Sequence, residues 1–262
     1  MQEEKQSPEK WCWLNSKTLL DNRTYGGFNM QNSNKLYLYE AILLLALKDK
    51  EGTFFPMSNY HFALGGALLA ELLLRKKISL TEKWKAKYAE VINMALVGDP
   101  IIDECLEMMK KSKRKARIET WVNRFSNLKH LKHRVAEKLC QQGILHAEED
   151  TVLLLFKRKI YPEINPEPER KIISQLKELV FTENENIDPE TVILLSIAKS
   201  TNLLGTFLTK QELKEKKNRI KQIVNGEVTG KATQEAIEAM QAAVMVACIV
   251  PAIAASTTAA TT

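Results

Sequence analysis

Residues 36–48 read LYLYEAILLLALK, and this stretch is apolar on nearly every side of a helix. A surface helix keeps one polar face, whereas a helix that is apolar all round is buried. The stretch therefore predicts a central helix with other elements packed around it. Residues 58–75, SNYHFALGGALLAELLLR, predict a second helix of this kind, whose glycines and alanines permit close contact with a neighbour.

Local signals mark the ends of several further helices. An aspartate before a proline can cap a helix that begins at the proline, and a threonine three residues before a glutamate forms a capping box. These signals occur at Asp99-Pro100, at Asp188-Pro189 and at Thr209 with Glu212. Gly143 follows a helical pattern at 128–142 and suits the position just after its end. The fold class expected is mostly α, a single globular helical domain with a protruding β-hairpin.

The domain boundary follows from composition. Residues 1–34 are polar and turn-rich, so we interpret them as an N-terminal arm, and residues 35–262 as the domain. The alanine-rich segment 232–255 predicts a closing helix.

Three observations bear on the compartment. The first ten residues, MQEEKQSPEK, lack the apolar segment of a signal peptide. The longest apolar run, 242–255, has 14 residues, whereas a spanning helix needs about 20. The four cysteines have no disulfide-like spacing and are expected to be free thiols. These features predict a cytoplasmic protein, peripherally associated at most with the cytosolic face of a membrane.

Sequence motifs of catalysis are missing from the chain. It has no glycine-rich phosphate loop, no nucleophile elbow and no zinc-binding helix motif. His130 and His133 have the spacing of two metal ligands on one helix face, but Lys129, Lys132 and Arg134 beside them would repel a cation. We therefore predict a protein that is not an enzyme and that needs no cofactor and no metal.

The positive charge of the chain is concentrated in one region. The net charge is +6, yet the 25 residues from Lys110 to Arg134 carry ten cations and one acid, Glu119, a local excess of +9. Such a concentration indicates an anionic partner, either nucleic acid or an anionic membrane surface, although a solvated basic face without a partner has the same composition.

Part of this charge lies on the helix predicted at 127–145. Lys129 and Lys132 are three residues apart, so their ammonium groups can converge on one anion, with His133 and Arg134 beside them. The stretch TVLLLFKRKIYP at 151–162 follows, with strand character and a central run of cations. If it forms a hairpin, the tip presents apolar side chains beside positive charge, which is the composition of an interfacial membrane anchor.

Several stretches resemble the Golgi phosphoprotein 3 family of phosphatidylinositol-4-phosphate-binding adaptors and their prokaryotic relatives. They occur in the order of the family and are YEAILLLALKDKEG (39–52), LGGALLAELLLRKKISL (64–80), GDPIIDECLEMM (98–109), TW (120–121), HRVAEKLCQQGIL (133–145) and LLLFKRKIYP (153–162). The resemblance implies a mostly α domain with a basic pocket for the lipid phosphate and a hairpin that enters the bilayer.

The resemblance also locates the pocket on this chain. Its helix cations fall on Lys129 and Lys132, and its hairpin on about 151–162. A pocket arginine of the family falls on Gly65, and a pocket tryptophan falls near Pro56 or Met57. These departures look like a prokaryotic relative.

The first hypothesis is a peripheral membrane protein that binds anionic phospholipid or, by resemblance, phosphatidylinositol 4-phosphate. The expected lipid-binding residues are Lys129, Lys132, His133, Arg134, Lys157, Arg158 and Lys159, and the expected membrane-inserting residues are Phe156, Ile160 and Tyr161. The alternatives are a protein-interaction adaptor without lipid recognition and, less favoured, a nucleic-acid binder. Binding of protein partners and formation of homo-oligomers through the hairpin are further alternatives that the sequence leaves open.

Overall fold

The computed structural model describes residues 35–48, 50–55, 59–83, 86–152, 156–183 and 188–227. The arm expected at 1–34, the helix expected at 232–255 and the positions Pro56 and Met57 lie outside these residues. In the described part of the chain, no helix is long and apolar enough to cross a membrane.

Helices make up most of the described chain, which confirms the expected fold class. They are α1 (Leu38–Ala46), α2 (Tyr60–Leu74), α3 (Pro100–Lys111), α4 (Ile118–Ser126), α5 (Leu131–Gln141), α6 (Glu167–Phe181), α7 (Pro189–Ser200), α8 (Lys210–Glu215) and α9 (Lys217–Val224), with a short 3₁₀ helix at Leu204–Thr206. The four predicted helix-end signals are confirmed. Asp99, Asp188 and Thr209 each accept a hydrogen bond from a first-turn amide, and Gly143 follows α5 with a φ of +73°.

The core forms around α1 and α2, as their composition predicts. Every residue of α1 is buried, and so is the central part of α2. Gly65 of α2 lies against α4, because a Cβ atom there would be 2.6 Å from the carbonyl oxygen of Val122 and 2.9 Å from the amide nitrogen of Ser126. This position therefore has no room for a larger side chain, and an arginine could not reach a surface pocket from it without displacing α4.

Three small antiparallel sheets complete the described fold. The strands are β1 (Leu47–Lys48), β2 (Thr53–Phe54), β3 (Ile78–Lys83), β4 (Ala86–Val91), β5 (Ala116–Arg117), β6 (Glu148–Val152) and β7 (Phe156–Ile160). β1 pairs with β2, β4 lies between β3 and β5, and β6 pairs with β7 as the expected hairpin. The β1–β2 turn holds the base of this hairpin, because the Tyr161 amide donates a hydrogen bond of 2.9 Å to the Gly52 carbonyl.

Candidate anion-binding groove

The start of α5 differs from the helix expected at 127–145. His130 has a left-handed backbone conformation (φ +55°), and the regular helix begins only at Leu131. Lys129 and His130 therefore lie in the turn before the helix, and Lys132 lies in its first turn. Among the described residues, the amides of Lys132 and His133 have no hydrogen-bond acceptor. Free amides and the helix dipole make such an end favourable for an anion.

An open groove of about 1020 Å³ runs between this end of α5, the β1–β2 turn and the hairpin. We call it the basic groove. Its lining residues are Gly52, Thr53, Phe54, Glu104, Lys129, His130, Lys132, His133, Arg134, Glu137, Lys157, Arg158, Lys159 and Ile160. All seven residues expected to bind lipid are thus brought together, although they come from two segments of the chain.

Lys129 and Lys132 differ from the other cations of the groove. In the part of the chain that the structure describes, neither has a carboxylate within 4.0 Å. The Lys132 ammonium lies 5.3 Å from the centre of the Phe54 ring, and Lys129 is exposed. These two side chains are the positive charges that a ligand could contact without first breaking an ion pair.

The other four cations are paired with carboxylates. Arg134 lies 2.6 Å from Glu104, and Lys159 lies 3.2 Å from Glu137, so α3 and α5 supply acids at the edge of the groove. Neither glutamate was expected at the site, because both belong to ordinary helical patterns in the sequence.

The hairpin carries acids opposite its cations. Its register sets Glu149 opposite Lys159 and Asp150 opposite Arg158. Lys157 lies 3.6 Å from Glu149, and the Arg158 guanidinium donates two hydrogen bonds to Asp150, of 2.8 and 2.6 Å. These pairs are exposed and are each worth about 0–1 kcal/mol, so a ligand phosphate can compete for the cations.

The expected placement of the membrane-inserting residues is wrong for two of the three. Tyr161 is 1% exposed, and its hydroxyl group forms a hydrogen bond of 2.8 Å with Nδ1 of His133. Ile160 is half-buried at the base of the hairpin, opposite Glu148. The hairpin begins at Glu148, three residues before the expected stretch, and this moves both residues away from its tip. Phe156 starts β7, but its side chain lies outside the described structure.

His133 is a titratable group of the basic groove whose pKa departs from its ordinary value. Burial, followed by the charges of Lys132 and Lys159, lowers the pKa of His133 below its ordinary value. Burial, followed by the charge of Glu137, raises the pKa of Tyr161 to about 12. At neutral pH the imidazole is therefore uncharged and the phenol keeps its proton. An anion in the groove would favour protonation of the imidazole.

These features define a mostly α domain with an open basic groove beside a charged β-hairpin. The chain belongs to the Golgi phosphoprotein 3 (GPP34) family, whose model matches residues 38–240. It is similar to vacuolar protein sorting-associated protein 74 of Eremothecium gossypii, with 29% identity over 219 aligned residues. The similarity covers 70% of this chain and 64% of that relative. The comparisons do not support the expectation of a prokaryotic relative.

Proposed function

We propose that this protein is a peripheral membrane protein that binds the phosphate of an anionic lipid headgroup in the basic groove. The observation that carries the proposal is a pair of lysines, Lys129 and Lys132, at the start of α5. Among the described residues neither lysine has a carboxylate partner, and the amides of Lys132 and His133 have no acceptor. Two ammonium groups and two amide donors suit a phosphate group, which offers several acceptor oxygens.

The lipid that we propose is phosphatidylinositol 4-phosphate, on the basis of the family. The name of the Eremothecium relative assigns that protein to vacuolar protein sorting, a membrane process, and supports a membrane-bound role here. This chain would then act at the cytosolic face of a membrane. Two further statements stay predictions from the sequence and the family. One is that the protein binds without catalysing a reaction, and the other is that it recruits partner proteins.

Vesicle flotation tests the proposal and its lipid specificity. Three vesicle compositions are compared: phosphatidylcholine alone, phosphatidylcholine with phosphatidylserine, and phosphatidylcholine with phosphatidylinositol 4-phosphate at matched charge. Each is run at low and at high salt. We expect binding only to the two anionic sets, with preference for the phosphoinositide. Equal binding to both, lost in high salt, would mean a generic electrostatic contact. Flotation with neither would refute the proposal and favour a protein adaptor.

Neutralising the hairpin acids is expected to strengthen binding. The double substitution Glu149→Gln with Asp150→Asn removes the partners of Lys157 and Arg158. A cation near an anionic surface contributes about 1 kcal/mol, so freeing two should raise the apparent affinity by up to roughly thirtyfold. Titration with phosphatidylserine vesicles measures the change.

The matched control is Glu183→Gln with Glu215→Gln, which alters the net charge equally at two exposed residues that do not line the groove. An equal gain in this control would mean that overall charge alone governs binding. No gain in either variant would mean that the hairpin cations do not approach the membrane.

A further inference from the structure

Three large apolar side chains stand exposed in the irregular segment that follows β4. Ile92, Met94 and Leu96 are 60%, 54% and 64% exposed, and we call them the apolar row. Exposed apolar groups are common singly, whereas three within five residues form a patch that is typical of an interaction site.

Hydrogen bonds donated by backbone amides hold the segment at both ends. The amides of Ile92 and Asn93 donate to the Lys77 carbonyl, at 2.9 and 3.1 Å. The carboxylate of Asp103 accepts from the amides of Val97 and Gly98, at 2.7 and 3.0 Å. The apolar row is therefore presented by a fixed backbone, which lowers the entropy lost when it meets a partner.

A cationic turn lies beside the row. β5 pairs with β4 so that Ala116 is opposite Ala89, and Lys115 continues the alignment through a 2.7 Å ion pair with Glu90. Arg114 and Lys113 precede Lys115 in the chain, and Val91 and Ile92 follow Glu90, so the turn and the start of the row lie on neighbouring segments. Both cations are exposed and have no carboxylate partner within the described ranges. We call residues 112–115 the cationic turn.

The cationic turn lies at the same end of the α3–α5 pair as the basic groove. Asp99 contacts Lys138 and Glu104 contacts Arg134, so the two helices run antiparallel. The end of α3, where the turn begins, is therefore at the end where α5 starts, beside Lys129.

We propose that the apolar row and the cationic turn form a second membrane contact, in which Ile92, Met94 and Leu96 enter the headgroup boundary of an anionic bilayer while Lys113 and Arg114 meet its charge. This inference rests on the proposed function of the groove and adds a lipid-contacting surface to it. Apolar groups and, on a neighbouring segment, cations without a carboxylate partner among the described residues match an anionic membrane on both counts. A symmetric contact between two copies would instead bring the like charges of both turns together.

The test is the triple substitution Ile92→Asn, Met94→Gln and Leu96→Asn. We expect roughly tenfold weaker binding to vesicles of phosphatidylcholine and phosphatidylserine, because the row no longer gains from entering the bilayer. Thermal unfolding and binding of soluble glycerophosphoinositol 4-phosphate should be unchanged, since neither depends on the row. The single variants Ile92→Asn and Ile164→Asn form a matched pair, as both side chains are 60% exposed and Ile164 lies at neither surface.

A second measurement does not depend on the polar variants folding. Tryptophan placed by Met94→Trp should be quenched by brominated lipid beyond the native background, and tryptophan placed by Ile164→Trp should not. Equal quenching of the two would overturn the inference, and so would unchanged vesicle binding by the triple variant. A dimer that the triple variant converts to a monomer, with vesicle binding retained, would assign the row to self-association and overturn it too.

Failure of the inference and failure of the proposed function give different results. If the native protein binds no anionic vesicle, the proposed function and the second contact are both refuted. If vesicle binding depends on Lys129 and Lys132 but is indifferent to the apolar row, only the second contact is refuted.

Discussion

Replacing Lys138 by methionine is expected to lower the free energy of unfolding by about 3 kcal/mol, because it leaves buried carboxylates without their cation. The Lys138 ammonium contacts Asp99, lies 3.0 Å from Glu40 and donates a hydrogen bond of 2.7 Å to the Tyr39 hydroxyl group. Asp99 and Glu40 are 2% and 1% exposed. Methionine keeps much of the volume of the lysine but offers no charge. Urea denaturation measures the loss.

The control for this variant is Lys159→Met, which removes an exposed ion pair with Glu137. Such pairs contribute about 0–1 kcal/mol, so the control should remain close to the native stability. A loss in Lys159→Met as large as that in Lys138→Met would contradict the interpretation.

A double-mutant cycle isolates the charge interaction. Asp99→Asn removes the negative charge but keeps an oxygen that can cap α3, where Asp99 now accepts from the amides of Ile101 and Ile102. We expect Lys138→Met to cost less in the Asp99→Asn background than in the native protein. Additive losses would mean that Lys138 stabilises the fold through packing alone.

The pH dependence gives an independent check. Burial alone would raise the pKa of Asp99, but its hydrogen bonds with Lys138, the Ile102 amide and Tyr39 outweigh burial and hold the pKa below its usual range. The stabilisation by Asp99 is then complete above its unfolded pKa and is lost as the pH falls through the folded value. The difference in stability between native protein and Lys138→Met should therefore shrink below about pH 4.

At high pH the dependence of stability on pH has the opposite sign, because Lys138 rather than Asp99 titrates there. Burial alone would lower the pKa of Lys138, but the hydrogen bond with Asp99 and the charge of Glu40 raise it above its ordinary value. Its contribution is complete at neutral pH and is lost only as the pH rises through that raised pKa.

The elements predicted well from the sequence are those that local signals determine. The cap at Asp99 acts on amides two and three residues away, and the apolar surface of α1 requires burial whatever packs against it. Lys129 and Lys132 were also identified locally, as neighbouring cations at one end of a helix. The resemblance to the family added the hairpin to the same site.

The features that the sequence could not supply depend on contacts between distant segments. Tyr161 is buried, and its hydroxyl group meets His133, 28 residues away. The hairpin cations are paired because the register brings the preceding acids opposite them, and a pattern of apolar residues does not fix that register. Lys138 looks like any other helix cation until the fold brings Asp99, 39 residues away, against it.

The double charge reversal Lys129→Glu with Lys132→Glu is expected to weaken binding to anionic vesicles by about a hundredfold or more. The variant changes four units of charge at the groove, and each unit near an anionic surface is worth about 1 kcal/mol. Thermal unfolding should stay close to that of the native protein, because neither ammonium group has a carboxylate partner among the described residues. Flotation at low salt, repeated at high salt, measures the effect.

The matched control is Lys171→Glu with Lys214→Glu, an equal change of charge at two exposed lysines that do not line the groove. If the control loses binding to the same extent, the protein responds to its overall field and the groove has no special role. The milder variant Lys129→Gln with Lys132→Gln separates attraction from repulsion, since it removes the donors without adding negative charge. Intermediate binding by this variant is expected if the two ammonium groups hold a phosphate. If the glutamine variant binds like the native protein while the charge reversal loses binding, the two lysines do not hold the lipid themselves. The paired cations of the hairpin would then hold it.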